Sequence, residues 1–144
     1  MKARKILMAE DDPRDTELAL LALDEYNLAN QVIAVRDGVE ALDYLYRRGA
    51  YSERAPGNPV VVLLDLKMPK ISGSEVLRQI KSDPNLKTIP VVVLTSSKED
   101  RDIAESYQLG VNAYCVKPVA FEKFVNVVRQ LGLFWVLTNE VPPR

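Results

Sequence analysis

Short unbroken apolar runs alternate along the chain with longer stretches in which apolar residues recur every three or four positions. The most apolar run, Val60-Val61-Val62-Leu63-Leu64, ends on a single carboxylate, Asp65, and the segment breaks at Pro69. Without alternation, such a run reads as a strand buried on both faces, at the centre of a parallel sheet. Residues 5–9 repeat the pattern and end in Glu10-Asp11-Asp12, while residues 31–35, 89–94 and 111–116 supply three further strands.

The intervening stretches predict helices. Asp12-Pro13 offers a cap with proline at the first helical position, and Leu18, Leu21 and Ala22 line one face of a helix running to about Tyr26. Val39, Leu42, Leu45 and Tyr46 fit a second helix, with Gly49 as its left-handed cap. Residues 50–59 carry prolines and a glycine and read as a long loop. Ser72-Gly73-Ser74-Glu75 has the spacing of a capping box ahead of Val76, Leu77 and Ile80. Ser97-Lys98-Glu99-Asp100 caps a fourth helix that ends at Gly110, and Phe121, Phe124, Val125 and Val128 mark a fifth. Five strands alternating with five helices imply a doubly wound α/β sandwich, because right-handed crossovers leave few other arrangements. The flavodoxin-like order 2-1-3-4-5 sets the first and third strands side by side at the switch point, bringing Glu10, Asp11 and Asp65 together.

Composition narrows the chemistry. The chain has 144 residues, 47% of them hydrophobic and 27% charged, with a formal net charge of -1, so nothing drives it toward nucleic acid or an anionic membrane. Its length suits one domain. The apolar residues after the basic start are too few for a signal peptide or a membrane span, and a cytoplasmic location is expected. One cysteine, Cys115, allows no internal disulfide and no thiolate metal cluster. Histidine is absent altogether, which excludes a histidine base, nucleophile or metal ligand.

Chemistry therefore falls to carboxylates, hydroxyls and lysine at the strand ends. Two carboxylates about 5 Å apart repel by roughly 3 kcal/mol at an effective dielectric near 20, a cost that a cation relieves. A hard, oxygen-bound divalent ion suits Glu10, Asp11 and Asp65, with Mg2+ the default choice, whereas Asp12 reads as the helix cap. Thr95 closes the fourth strand and Lys117 the fifth, adding a hydroxyl and an ammonium to the same crevice. Metal, lysine and hydroxyl around a carboxylate look like a phosphoryl site, in which Asp65 forms an aspartyl phosphate.

The set Glu10-Asp11, Asp65-Leu66-Lys67-Met68-Pro69 with Gly73, Thr95-Ser96 and Lys117-Pro118 resembles the response-regulator receiver domains of two-component signalling. The likeness covers residues 4–131 of a single domain spanning 1–144, with 132–144 as a C-terminal extension. It implies that Asp65 accepts a phosphoryl group from a partner histidine kinase. It further implies that Glu10, Asp11, Asp65 and the backbone carbonyl of Lys67 hold Mg2+, that Lys117 contacts the phosphoryl group, and that the Lys117-Pro118 peptide is cis. Thr95 and Tyr114 match the positions whose coupled movement reports phosphorylation on the face of the fourth helix, fifth strand and fifth helix. Residues 47–59, the run Ile89-Pro90-Val91-Val92-Val93-Leu94-Thr95-Ser96 and the tail with Phe134-Trp135 resemble the receivers that partner cyanobacterial and bacterial phytochrome kinases. Lys67 departs from the small polar residue expected there.

Leu131-Gly132-Leu133-Phe134-Trp135-Val136-Leu137 follows the completed sheet. It reads either as a continuation of the fifth helix on its own domain or as a partner surface. Preferring the latter, we expect a homodimer with Phe134 and Trp135 as anchors. Output would pass to a downstream protein target or a phosphotransfer protein. The competing class is an aspartate-nucleophile phosphohydrolase; such enzymes carry a general-acid aspartate two residues after the nucleophile, where this chain has Lys67.

Overall fold

The computed structural model describes residues 4–143. Five strands, β1 (Ile6–Ala9), β2 (Val32–Val35), β3 (Val61–Leu64), β4 (Val91–Thr95) and β5 (Ala113–Val116), form one sheet in the order β2-β1-β3-β4-β5. Every pairing is parallel. Helices α1 (Pro13–Asp24), α2 (Gly38–Tyr46), α3 (Gly73–Ser82), α4 (Asp100–Leu109) and α5 (Phe121–Gly132) alternate with the strands. The flavodoxin-like order expected from the sequence is the one observed.

Two apolar layers follow from the period of two along each buried strand. Leu7, Ala9, Val62, Leu64, Val91 and Val93 point to one face and meet Leu42 and Leu45 of α2 and Val76, Leu77 and Ile80 of α3. Their neighbours Ile6, Met8, Val61, Leu63, Val92 and Leu94 point to the other face and meet α1 and α5. Each fully buried Val or Leu contributes about 1.5–3 kcal/mol, so β1, β3 and β4 form a stiff base for whatever stands at their ends.

The helix boundaries differ in informative ways. In α1 the buried stripe is Ala19, Ala22 and Leu23, while Leu21 is 61% exposed. The two alanines let α1 lie close to the sheet and to α5, and this turns Leu21 outward. Asn27 closes the helix in the left-handed conformation at φ 58°, with Leu28 N–H on the Leu23 carbonyl and Asn27 N–H on that of Asp24.

Helix α2 ends earlier than expected. Arg47, not Gly49, takes the left-handed cap position at φ 56°, and the Arg48 N–H reaches the Asp43 carbonyl. Arginine is a strained choice there, offset by the Arg48 Nε contact to Asp43 Oδ1 at 2.9 Å. Gly49 instead opens a short 3-10 helix, Gly49–Tyr51. Tyr46 faces solvent and donates its hydroxyl to Asp83, and Tyr44 takes the buried position. At α4 the cap residue is Glu99, and no side chain accepts from the helix. Phe121 of α5 is exposed rather than part of the buried face, which Phe124 and Val128 make.

The chain after α5 continues as a π-helical segment, Leu133–Thr138, packed on its own domain. Val136 is buried in the layer formed by α1 and α5, and Trp135 packs against it half-buried. The Lys117–Pro118 peptide is trans, as are all described peptide bonds, which corrects the cis form implied by the resemblance. Trans is the intrinsically preferred isomer of an X–Pro bond, by about 0.5–1 kcal/mol. No helix among the described residues is long and apolar enough to cross a membrane.

Candidate functional site

Strand register assembles the site. Ala9 pairs with Leu64, Leu64 with Val93, and Thr95 with Val116, so Glu10, Asp65, Thr95 and Lys117 emerge side by side at the carboxyl edge of the sheet. Backbone bonds carry the ladder one step further: Asp65 N–H donates to the Ala9 carbonyl at 3.0 Å and Lys117 N–H to the Thr95 carbonyl at 2.7 Å. Behind Asp65 stands Gly73 of α3, where a Cβ would lie 2.1 Å from the Asp65 carbonyl oxygen. Only glycine allows α3 to begin against that strand end.

Asp65 is held through both carboxylate oxygens. Oδ1 accepts from the Thr95 hydroxyl at 2.8 Å and from the Lys67 backbone N–H at 3.2 Å, and Oδ2 accepts from Lys117 Nζ at 2.9 Å. Glu10, Asp65 and Thr95 are buried, whereas Asp11 is exposed at the rim. Lys117 Nζ also meets Glu10 Oε1 at 2.6 Å and Asp15 Oδ2 at 2.9 Å. Burial pushes the Glu10 carboxyl up to about 7, outweighing the Lys117 ammonium and the Asp12 N–H that pull it down. Burial alone would lower the Lys117 ammonium, but its bonds to Glu10, Asp15 and Asp65 dominate and hold it above the ordinary lysine range.

The acids fit a cation. Glu10, Asp11 and Asp65 each offer one carboxylate oxygen, and these lie within 4.8 Å of one another. An all-oxygen donor set of this charge suits a hard divalent ion. Asp12 stays outside the set: its Oδ1 caps α1 by accepting from Arg14 and Asp15 N–H.

A chain of hydrogen bonds runs from the carboxylate toward β5. Thr95 Oγ1 accepts from the Ser97 N–H at 3.5 Å, and the Tyr114 hydroxyl donates to the Ser97 carbonyl at 2.9 Å. Ser97 Oγ in turn donates to Asp102 Oδ2 of α4 at 2.5 Å. Two participants escape a reading of strand ends alone, Asp15 and Ser97. Asp15 lies one helical turn beyond Glu10-Asp11, in the first turn of α1, and a carboxylate placed there leans back over the strand end. Phe134 and Trp135 lie apart from this crevice on the C-terminal segment, edge to face at 5.0 Å, with Phe134 exposed.

Over residues 6–129 the sequence matches the family described as response regulator receiver domain. The chain belongs to that family. Receivers of this kind are signalling modules that accept a phosphoryl group, not enzymes. Among the relatives of this receiver, the response regulator Rcp1 of Synechocystis sp. (strain ATCC 27184 / PCC 6803 / Kazusa) is 39% identical over 137 residues, 95% of this chain and 92% of its own. The Mn2+-bound form of Rcp1 superposes at a TM-score of 0.90 with 37% identity, over 97% of this chain and 99% of that one. The phosphorylated cyanobacterial phytochrome response regulator RcpA gives 0.91 with 41% identity, over 99% and 100% of the two chains. The bacteriophytochrome response regulator RtBRR is 56% identical, at a TM-score of 0.77 over 99% of this receiver and 86% of its own chain. The receiver is thus homologous to phytochrome response regulators, and its acid cluster suits the divalent metal that receivers bind.

Proposed function

We propose that this receiver acts as a response regulator in which Asp65 takes the phosphoryl group from a partner histidine kinase. The observation that carries this reading is the fully engaged Asp65 carboxylate, with Thr95 on one oxygen and Lys117 on the other. In the transfer, an Asp65 oxygen bonds to phosphorus, the P–N bond of the kinase phosphohistidine breaks, and the released imidazole takes a proton. Lys117 Nζ and the Thr95 hydroxyl then turn from the carboxylate to the phosphoryl oxygens. Glu10, Asp11, Asp65 and the Lys67 carbonyl would hold Mg2+, which when bound offsets the negative charge of the acids and the incoming group. The Asp65-Thr95-Ser97-Tyr114 chain supports a readout in which Thr95 and Tyr114 move together and alter the surface of α4, β5 and α5.

The kinase in this reading is of the phytochrome type, by homology to the cyanobacterial phytochrome response regulator RcpA and the bacteriophytochrome response regulator RtBRR. The location is cytoplasmic, and output passes by protein contact or onward phosphotransfer, without nucleic acid or membrane. A homodimer forms through α5 and the tail, with Phe134 and Trp135 at the contact.

Incubation with acetyl phosphate and Mg2+ tests the acceptor. One acid-stable, base-labile acyl phosphate per chain is expected in wild type and none in Asp65→Asn. Sustained turnover of a small phosphoester would instead revive the phosphohydrolase, which Lys67 disfavours by occupying the general-acid position. Phosphotransfer from a phytochrome-type kinase faster than from unrelated histidine kinases checks the partner.

A further inference from the structure

Lys117 is surrounded by one more carboxylate than phosphoryl transfer needs. Its ammonium has three N–H donors, and in the structure they face three acids: Glu10 Oε1 at 2.6 Å, Asp15 Oδ2 at 2.9 Å and Asp65 Oδ2 at 2.9 Å. Glu10 and Asp65 are also two of the three residues whose oxygens cluster for a cation. The ammonium therefore lies against two of the side chains a divalent ion would take, and two cations on the same carboxylates repel each other. Asp15 differs. It stands outside the cation cluster, on the rigid first turn of α1, and its side chain is 23% exposed while that of Lys117 is only 10% exposed.

We infer that Asp15 is a positioning residue: it holds the Lys117 ammonium when a divalent cation takes Glu10 and Asp65. Without such an anchor, a cation entering the site would leave an almost fully buried ammonium with no carboxylate of its own, and its binding would be weakened by that cost. With the anchor, Lys117 pivots on Asp15, gives up Glu10, and stays within reach of a group on Asp65. Asp15 thus sets both metal affinity and the pose in which Lys117 meets the phosphoryl oxygens. This inference rests on the cation site proposed above and extends it to a residue outside the ligand set.

The test is a double-mutant cycle read by calorimetric titration of the metal-free protein with Mn2+ and, separately, Mg2+. Asp15→Asn should raise Kd by about tenfold, the size of one charge-assisted hydrogen bond. In a Lys117→Ala background the same change should be nearly silent, and Asp15→Glu should recover most of the wild-type affinity. Equal weakening with and without Lys117 would overturn the inference, because Asp15 would then act only as one more negative charge. An Asp15→Asn protein that binds the ions as tightly as wild type would overturn it too. Wild-type protein that takes up neither ion would remove the underlying cation site along with it. Thermal unfolding of the metal-free variants confirms that each compares folded protein with folded protein.

Discussion

Asp37, outside the cluster that Lys117 joins, ties stability to pH. It caps α2, with Oδ1 accepting the Glu40 N–H at 2.8 Å and Oδ2 3.4 Å from Lys70 Nζ. Burial alone would raise its carboxyl, but the Glu40 N–H and the Lys70 ammonium prevail and lower it below the ordinary 3.8. A depressed folded value means that the charged form stabilises the fold above pH 3.8 and that this contribution is lost as pH falls through the folded value. Asp37→Ala is therefore expected to cost about 1 kcal/mol at pH 7. The gap between variant and wild type should narrow in urea titrations as the pH is taken progressively below 3.8. At this same scale, Glu10, Asp65, Thr95 and Lys117 were legible because each ends an apolar strand, and strand ends in a parallel sheet converge. Asp15 and Ser97 were not. Their roles depend on where one helical turn and one loop carbonyl come to rest, which the strand ends by themselves do not show; for Asp15 the one-turn spacing from Glu10-Asp11 is the signal.

Elements were legible by type and less so by boundary. The apolar runs and the three-to-four spacing correctly placed all five strands and five helices, since burial on one face or two dictates those periods. Boundaries depend instead on competition between nearly equal caps. Gly49 has the preferred chemistry for a left-handed cap, yet Arg47 takes the position because α2 runs out of buried face at Leu45 and Asp43 is at hand to bind Arg48. Gly73 shows the opposite case, a glycine whose identity is dictated by contact. It meets the Asp65 backbone at a distance that leaves no space for a methyl group, and its N–H donates to the Leu66 carbonyl at 2.9 Å. Gly73→Ala must push α3 away from β3, at an expected cost of about 1–3 kcal/mol. The displacement bears directly on the Asp65 backbone, so acetyl phosphate uptake should slow along with the fall in the denaturation midpoint. A variant that lost stability but took up phosphate at the wild-type rate would show that the carboxylate is positioned by β3 alone.

For the molecule as a whole, the doubly wound architecture followed from the chirality of crossovers, whereas the path of the tail did not follow from anything so general. An apolar strip after the last helix satisfies its burial equally well against its own domain or against another chain, and the pattern of residues is the same in both cases. The structure divides the strip. Val136 is 1% exposed within the layer of α1 and α5, and Gly132 lies so close to α1 that a Cβ there would fall 2.4 Å from Leu23 Cδ2. Phe134 and Leu137, 48% and 57% exposed, face outward. The two halves of the strip should therefore respond differently to truncation. Val136→Ala removes buried methyl groups and leaves a gap, so it should lower unfolding free energy by about 1–3 kcal/mol while leaving any self-association of the folded protein unchanged. Phe134→Ala removes a ring that is 48% exposed and touches Trp135 edge to face, so chemical denaturation of the single chain should shift by about 1 kcal/mol or less. If α5 and the tail form the dimer, the Phe134→Ala protein should instead dissociate at concentrations where wild type remains paired, as measured by light scattering during size-exclusion chromatography. A wild-type mass of one chain at micromolar concentration would eliminate the dimer and leave the outward half of the strip without a partner, while the Val136 result would stand, because it depends only on packing within the domain.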